Sequence, residues 1–331
     1  MNRAFRPSPE GMLLVLLVGV VALGTAAPAL AQSCASPAYG NIVSNLDTKA
    51  PPRALALGDF HGGSGTLDGV PDAVVARDGI VTLWGGNGGS FPIFVDDYPV
   101  GADARDIVTA DFNLDGLLDI AVANRGSGSV SVLPGLGNGF GAKVDTDVLA
   151  NPEHLVVADF NLDGKPDLVV VHAGVFRVLL GDGDLTFTQF GTDRSLTGAG
   201  AADVGDFNRD GIVDLVVVQE TFDQVALYLG RGDGYLGTPG WTELPVRTVG
   251  VGDEPVDIVV GRIDRQDGHL DFLTADRTAR TLTLRRGDGM GDFLPAIETL
   301  TPTNSESLLQ PERVALVDFD RDGVLDVAAL D

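Results

Sequence analysis

Asp111, Asn113, Asp115 and Asp119 place oxygen-bearing side chains at positions 1, 3, 5 and 9 of a nine-residue stretch, with Gly116 at position 6. The same spacing returns at Asp159, Asn161, Asp163 and Asp167, at Asp206, Asn208, Asp210 and Asp214, and at Asp318, Asp320, Asp322 and Asp326. Such a run suits a hard dication the size of calcium, which takes six to eight oxygens at roughly 2.3–2.6 Å. The main-chain carbonyl of position 7 adds one more, so Leu117, Lys165, Ile212 and Val324 join the ligand sets. Their side chains differ, as expected where only the backbone matters. Gly at position 6 permits the positive φ that curling around an ion demands.

An empty Asp-rich turn is the plain alternative, since Asp, Asn and Gly are ordinary turn formers. Recurrence argues against it, because several carboxylates crowded into one loop repel each other unless a cation neutralises them. Magnesium suits the set less well, as it prefers fewer protein ligands and rigid octahedral geometry. An EF-hand would need a bidentate Glu at position 12, where Val122, Val170, Val217 and Ala329 stand instead. Each loop is self-contained and offers no open coordination position beside an acid or base, so a structural metal is expected rather than a catalytic one.

Two further copies are degraded. The first runs from Asp59 through a Gly-rich insertion to Asp68 and Asp72, and the fifth offers Asp264, Asp267 and Asp271, with Arg262 where an acid belongs. Anchored on the ninth position, Asp72, Asp119, Asp167, Asp214, Asp271 and Asp326 follow one another at intervals of 47, 48, 47, 57 and 55 residues. A near-fixed period of this length means a repeat architecture.

Within a unit, a short apolar segment (residues 106–110) enters the loop and another (118–123) leaves it. After a turn at 124–128 a third segment (129–133) follows, then a Gly-rich turn at 135–139 and a more polar fourth segment near 142–148. Runs such as Leu168 to Val171 and Leu215 to Val218 are β-branched and too short for helices, so they read as strands buried on both faces. Four antiparallel strands per unit, repeated, predict an all-β β-propeller of four-stranded blades. Six units are visible, and the last has only its first two strands before the sequence stops at Asp331. Either a six-bladed disc closes with residues 38–48 as an outer strand, or the sequence continues into a seventh blade. The apolar edge at 324–330 favours the second, since an open strand of this kind invites aggregation.

These residues carry a resemblance. The Asp-x-Asn-x-Asp-Gly-x-x-Asp loop, the Leu-Val-Val-Val strand and the Leu-Gly-x-Gly-Asp-Gly turn at 229–234 resemble the FG-GAP or VCBS repeat. That family includes the propeller of integrin α-subunits and many secreted bacterial proteins, and the resemblance covers residues 53–331. It implies calcium in the Asp loops on one face of a disc and ligands on the other. The opposite face would comprise the loops at 124–128, 172–174 and 219–224, together with the blade connections at 197–201 and 250–255.

The chain's 331 residues carry a net charge of −25 and no basic stripe, which excludes nucleic acid as a partner. Arg3 and Arg6, the apolar run 12–23 and the small residues Ala29 and Ala31 predict a signal peptide over 1–31. An N-terminal segment over 32–52 would follow, then the propeller over 53–331. The chain is therefore expected to be exported to the periplasm or outside the cell, with no membrane insertion after cleavage. Cys34 is the single cysteine, so no internal disulfide can form.

Several motifs are set aside. Arg231, Gly232 and Asp233, like Arg286, Gly287 and Asp288, spell an adhesion tripeptide, but in both the Arg fills a variable slot of a repeating turn. His61, His154, His172 and His269 lack metal spacing and read as solvated loop residues. Trp84 and Trp241 read as packing residues rather than sugar platforms. No nucleophile elbow or phosphate cradle appears, so no catalytic residue is expected. The leading expectation is a calcium-stabilised binding, adhesion or scaffold module for a protein or glycan ligand. A polysaccharide lyase or hydrolase, or a lectin, on the same scaffold is the alternative.

Overall fold

The computed structural model describes residues 52–62, 67–86, 93–237, 245–263, 267–295, 298–300, 310–317 and 325–330. Among these residues every regular element is a strand except one 3-10 turn at Glu220–Phe222. The first sheet holds β1 (Ala54–Gly58), β2 (Asp72–Arg77), β3 (Ile80–Gly85) and β4 (Ile93–Pro99) in chain order. The second holds β5 (Ala104–Ala110), β6 (Asp119–Asn124), β7 (Ser129–Leu133) and β8 (Val144–Asp147). The third holds β9 (Pro152–Ala158), β10 (Asp167–His172), β11 (Val175–Gly181) and β12 (Phe187–Ser195). The fourth holds β13 (Ala199–Gly205), β14 (Asp214–Gln219), β15 (Gln224–Tyr228) and β16 (Arg247–Gly250). The fifth holds β17 (Pro255–Gly261), β18 (Asp271–Asp276), β19 (Thr281–Arg285) and β20 (Glu298–Leu300). The sixth, among the described residues, pairs β21 (Arg313–Val317) with β22 (Asp326–Leu330). All pairings are antiparallel between chain neighbours, so each sheet is one blade of a β-propeller. The expected signal peptide, the segment at 38–48, the sixth Asp loop at 318–324 and Trp241 lie outside the described residues.

First strands pack on one another in sequence, β1 on β5, β5 on β9, β9 on β13, β13 on β17 and β17 on β21, which makes them the innermost strands. Second strands are buried at every residue in the first five blades. The reason is visible in β10. Leu168 and Val170 point into a core shared with Ala121, Ala123, Val130 and Val132 of the second blade. Val169 and Val171 point the other way, to Leu215 and Val217 of the fourth. A strand covered on both faces reads as an unbroken apolar run. At roughly 1.5–3 kcal/mol for each fully buried Val or Leu, these interfaces supply the main stabilisation.

Innermost strands carry one edge without a ladder partner, and carboxylates supply what is missing. Asp106 Oδ2 accepts the Leu155 N–H of the next blade at 2.9 Å, Asp203 Oδ2 accepts that of Val260 at 2.7 Å, and Asp257 Oδ2 accepts that of Val314 at 2.8 Å. Burial pushes the Asp203 carboxyl up to about 6, with Asp257 adding repulsion. Burial likewise pushes Asp276 up to about 6, against the opposing hydroxyls of Thr283, Thr274 and Thr281.

A carboxyl whose folded pKa exceeds its unfolded value takes up a proton on folding, so its contribution grows as pH falls through the folded pKa and is lost as pH rises. His172 acts in the opposite sense, because burial pushes its pKa down. The test is therefore a difference. In chelator, Asp203→Asn or Asp276→Asn should each remove about 1 kcal/mol of the stability gained by wild type between pH 7.5 and 5. Denaturant midpoints whose pH dependence is unaltered by either substitution would refute this.

Candidate metal centre

The second, third and fourth Asp loops, each between the first and second strand of its blade, fold alike. Position 1 closes the loop: Asp111 Oδ1 and Oδ2 accept the N–H groups of Asp115 and Gly116 at 3.0 and 2.8 Å. Asp159 does the same for Asp163 and Gly164 at 3.1 and 2.8 Å, and Asp206 for Asp210 and Gly211 at 3.1 and 2.9 Å. Asn113, Asn161 and Asn208 accept the position-5 N–H through Oδ1, at 3.0 Å in each case. Asp115, Asp163 and Asp210 then accept the position-7 N–H of Leu117, Lys165 and Ile212 at 2.9, 3.0 and 2.8 Å.

Position 6 adopts the expected positive φ, +87° at Gly116, +83° at Gly164 and +85° at Gly211. Position 4 adopts it too, although it is not glycine: Leu114 lies at 60°, Leu162 at 59° and Arg209 at 61°. A left-handed residue other than Gly costs about 1–2 kcal/mol. Here the cost recurs in three loops, and in each the side chains of positions 1 and 3 meet at the position-5 N–H.

The chemistry of the set fits a hard dication: two carboxylates, an amide oxygen and a main-chain carbonyl, with a third carboxylate at position 9. The accepting oxygens keep a second lone pair beyond the N–H bonds given above. In copy one, Asp59 Oδ1 is buried without a hydrogen-bond partner among the described residues, while its Oδ2 accepts Gly69 N–H at 2.8 Å. Among the described residues no three His, Cys, Asp or Glu side chains already converge on a single point. The loop oxygens are instead engaged with the loop's own N–H groups.

Position 9 plays a second part in five blades. One oxygen accepts the N–H of position 2 and the other that of a glycine at or just beyond the end of the third strand. In the third blade Asp167 accepts Phe160 at 2.9 Å and Gly181 at 2.8 Å, and in the fourth Asp214 accepts Phe207 and Gly230, both at 2.8 Å. Asp119 holds Phe112 and Gly135 at 2.8 and 2.7 Å. The degraded copies keep this clamp, Asp72 on Phe60 and Gly86 at 2.8 Å each, and Asp271 on Ile263 and Gly287 at 2.9 and 3.1 Å. Burial pushes Asp167 and Asp214 up to about 6, partly offset by these N–H bonds and reinforced by the other loop carboxylates.

Why the clamp needs glycine is also plain. A Cβ at Gly181 would lie 2.2 Å from the Pro166 carbonyl oxygen, whereas one at Gly164 would meet nothing within 4 Å. Gly164→Ala should therefore cost only the left-handed backbone, about 1–2 kcal/mol. Gly181→Ala should cost more, about 3 kcal/mol, because backbone must move in a packed interior. Urea midpoints that rank the two variants the other way would contradict this account.

Elsewhere the structure both agrees with the sequence reading and corrects it. Position-2 aromatics point inward and onto the next blade: Phe60 on Phe140, Phe112 on Phe187 and Phe207 on Phe293, with centroids 5.2, 5.6 and 5.4 Å apart. Phe160 shares a core with Leu236. The Arg231–Asp233 tripeptide lies in its turn with the two side chains paired at 3.3 Å, and Trp84 stacks edge-on with Phe94. Residues 199–201 belong to β13 rather than to a connecting loop.

The histidines need correction. His172 ends β10 at 1 % exposure, its Nδ1 donating to the Ala150 carbonyl at 3.2 Å. His154 lies in the innermost strand β9, 3.6 Å from Asp106. Neither is a solvated loop residue. His172 belongs to a series the sequence reading missed: Arg77, Asn124, His172, Gln219 and Asp276 are buried polar residues ending the second strand of five blades. The signal was present, a polar residue five positions after each ninth-position Asp. Gln219 donates to the Thr197 carbonyl at 3.0 Å, so His172 and Gln219 tie the second strand to the connection entering the same blade. Arg77 bonds instead to Thr82 and Asp97, and Asn124 to Ser129 and Ser131, of their own blades.

Four-stranded antiparallel blades around innermost strands, with Asp loops between first and second strands, define a β-propeller. The chain belongs to the FG-GAP-like repeat family, matched over residues 111–170, 159–217 and 266–329. No curated protein matches it. Among solved structures it is similar to the periplasmic gluconolactonase PpgL of Pseudomonas aeruginosa, at 18% identity and a TM-score of 0.51, over 80% of this chain and 71% of that one. It is also similar to a functionally unknown protein of Desulfotomaculum acetoxidans, at 10% identity and a TM-score of 0.52, over 74% and 68% of the two chains. At these identities the likeness concerns the fold alone.

Proposed function

We propose that the chain is an exported, calcium-binding β-propeller that serves as a binding or scaffold module for a protein or glycan ligand. One observation carries the calcium reading: three loops repeat a left-handed, non-glycine position 4 that gathers the same oxygen donors. Local strain kept in all three of these loops points to a use for the geometry it enforces. The cation would be held by Asp111, Asn113, Asp115, Leu117 and Asp119 and by their counterparts in the other copies. Bound there, it neutralises the clustered carboxylates and locks the first strand of a blade to its second.

Recognition then falls to the opposite end of the blades, where the connections between second and third strands differ. The fourth blade has the 3-10 turn with Phe222 exposed, while the third has only a two-residue turn at 173–174. Around that end, Arg125 pairs with Glu153 at 2.9 Å, and Arg277 with Glu254 and Glu312 at 2.9 and 2.8 Å. Rigid scaffolds with variable loops are suited to binding.

Metal analysis of protein dialysed against calcium tests the first half. Asp163→Ala and Asp210→Ala should each remove one bound ion, and calorimetry without heat at millimolar calcium would sink the reading. For the second half, a glycan array and a panel of surface polymers should give binding that Phe222→Ala weakens and Asp163→Ala, at saturating calcium, does not.

A further inference from the structure

The first, third and fourth Asp loops are each gripped by two Gly-rich turns. The ninth-position Asp holds the first glycine of its own blade's turn, as described above. The position-2 carbonyl accepts the N–H of the last glycine in the next blade's turn: Gly139 to Phe60 at 3.1 Å, Gly234 to Phe160 at 3.1 Å and Gly291 to Phe207 at 3.2 Å. The turn at 230–234 thus connects two Asp loops. Gly234 is bonded to the third loop, and Gly230 donates to Asp214 of the fourth at 2.8 Å. Packing follows the same route, since a Cβ at Gly232 would lie 2.8 Å from Leu162, the strained position 4 of the third loop.

The relay is interrupted between the second and third loops. There Leu185, at φ 72°, stands where the other turns have glycine, and no such bond to Phe112 occurs among the described residues. What remains is apolar packing without a hydrogen bond: Phe112 on Phe187, and a looser approach in which a Cβ at Gly183 would lie 3.6 Å from Leu114.

We propose that the cation sites of the third and fourth blades are positively coupled through the 230–234 turn, while those of the second and third blades act independently. The proposal rests on the calcium reading above. A cation that fixes the third loop fixes the Phe160 carbonyl, hence the turn, hence the orientation of Asp214. The fourth loop then has less ordering left to do when it binds, and ordering already done appears as affinity.

The experiment is a calcium titration of nitrogen-15-labelled full chain, following the Gly164 and Gly211 amide resonances as reporters of the third and fourth loops. Asp163→Ala should raise the calcium midpoint at Gly211 about fivefold. Linkage requires Asp210→Ala to raise the Gly164 midpoint by the same factor, which gives a second variant should the first fold poorly. Asp115→Ala should leave the Gly164 midpoint unchanged. Hydrogen exchange at Gly234 should slow with calcium in wild type and not in Asp163→Ala. Calcium-responsive resonances with a Gly211 midpoint unmoved by Asp163→Ala would overturn the coupling alone. Resonances that never respond to calcium would overturn both the coupling and the calcium reading beneath it.

Discussion

Asp72→Ala is expected to destabilise the protein by about 3–6 kcal/mol even when every metal is chelated. Asp72 is 1 % exposed, and besides Phe60 and Gly86 it accepts the His61 N–H at 2.7 Å. Truncation leaves three donors without an acceptor, each worth about 1–2 kcal/mol because two of them, at His61 and Gly86, are only partly buried. Copy one lacks the full ligand set, so loss of a cation cannot explain the effect. Asp163→Ala makes the contrast. Its side chain is 36% exposed and accepts within its own loop, so in chelator it should cost under about 1 kcal/mol. Chemical denaturation of both variants in chelator checks the pair; a cost below about 1 kcal/mol for Asp72→Ala would remove the clamp from the account.

Calcium should produce the other large effect. Extracellular modules bind with dissociation constants of roughly 10⁻⁴–10⁻³ M. At about 2 mM calcium each occupied site then adds about 0.6–1.8 kcal/mol by mass action. Four copies with the full set of ligand residues sum to about 3–7 kcal/mol, and one kcal/mol moves the melting temperature by about 2–4 °C for a domain near this size. The expected rise on passing from chelator to calcium is therefore about 5–30 °C, with a smaller rise in magnesium. Scanning calorimetry showing less than about 2 °C would be incompatible with structural sites in these loops.

Much of this was legible in the chain itself, for a physical reason. A second strand covered on both faces needs an apolar residue at every position, so Leu168, Val169, Val170 and Val171 announce their place without tertiary information. The Asp loops are equally local, because the donors that close them lie within nine residues of one another. Their glycine at position 6 is needed for a backbone angle, and backbone angles are short-range. What these residues could not disclose is who faces whom across a blade boundary. Asp119, Asp167 and Asp214 read as ligands, yet each also clamps a glycine 14 to 16 residues further on. His172 looks like a loop residue until the connection before its own blade folds over it. The Phe at position 2 looks like an anchor for its own blade and in fact packs on the next. Local composition determined the strands, their loops and the repeat. Only the stacking of blades decided which buried polar group meets which backbone donor, because those partners are brought together by packing and not by spacing.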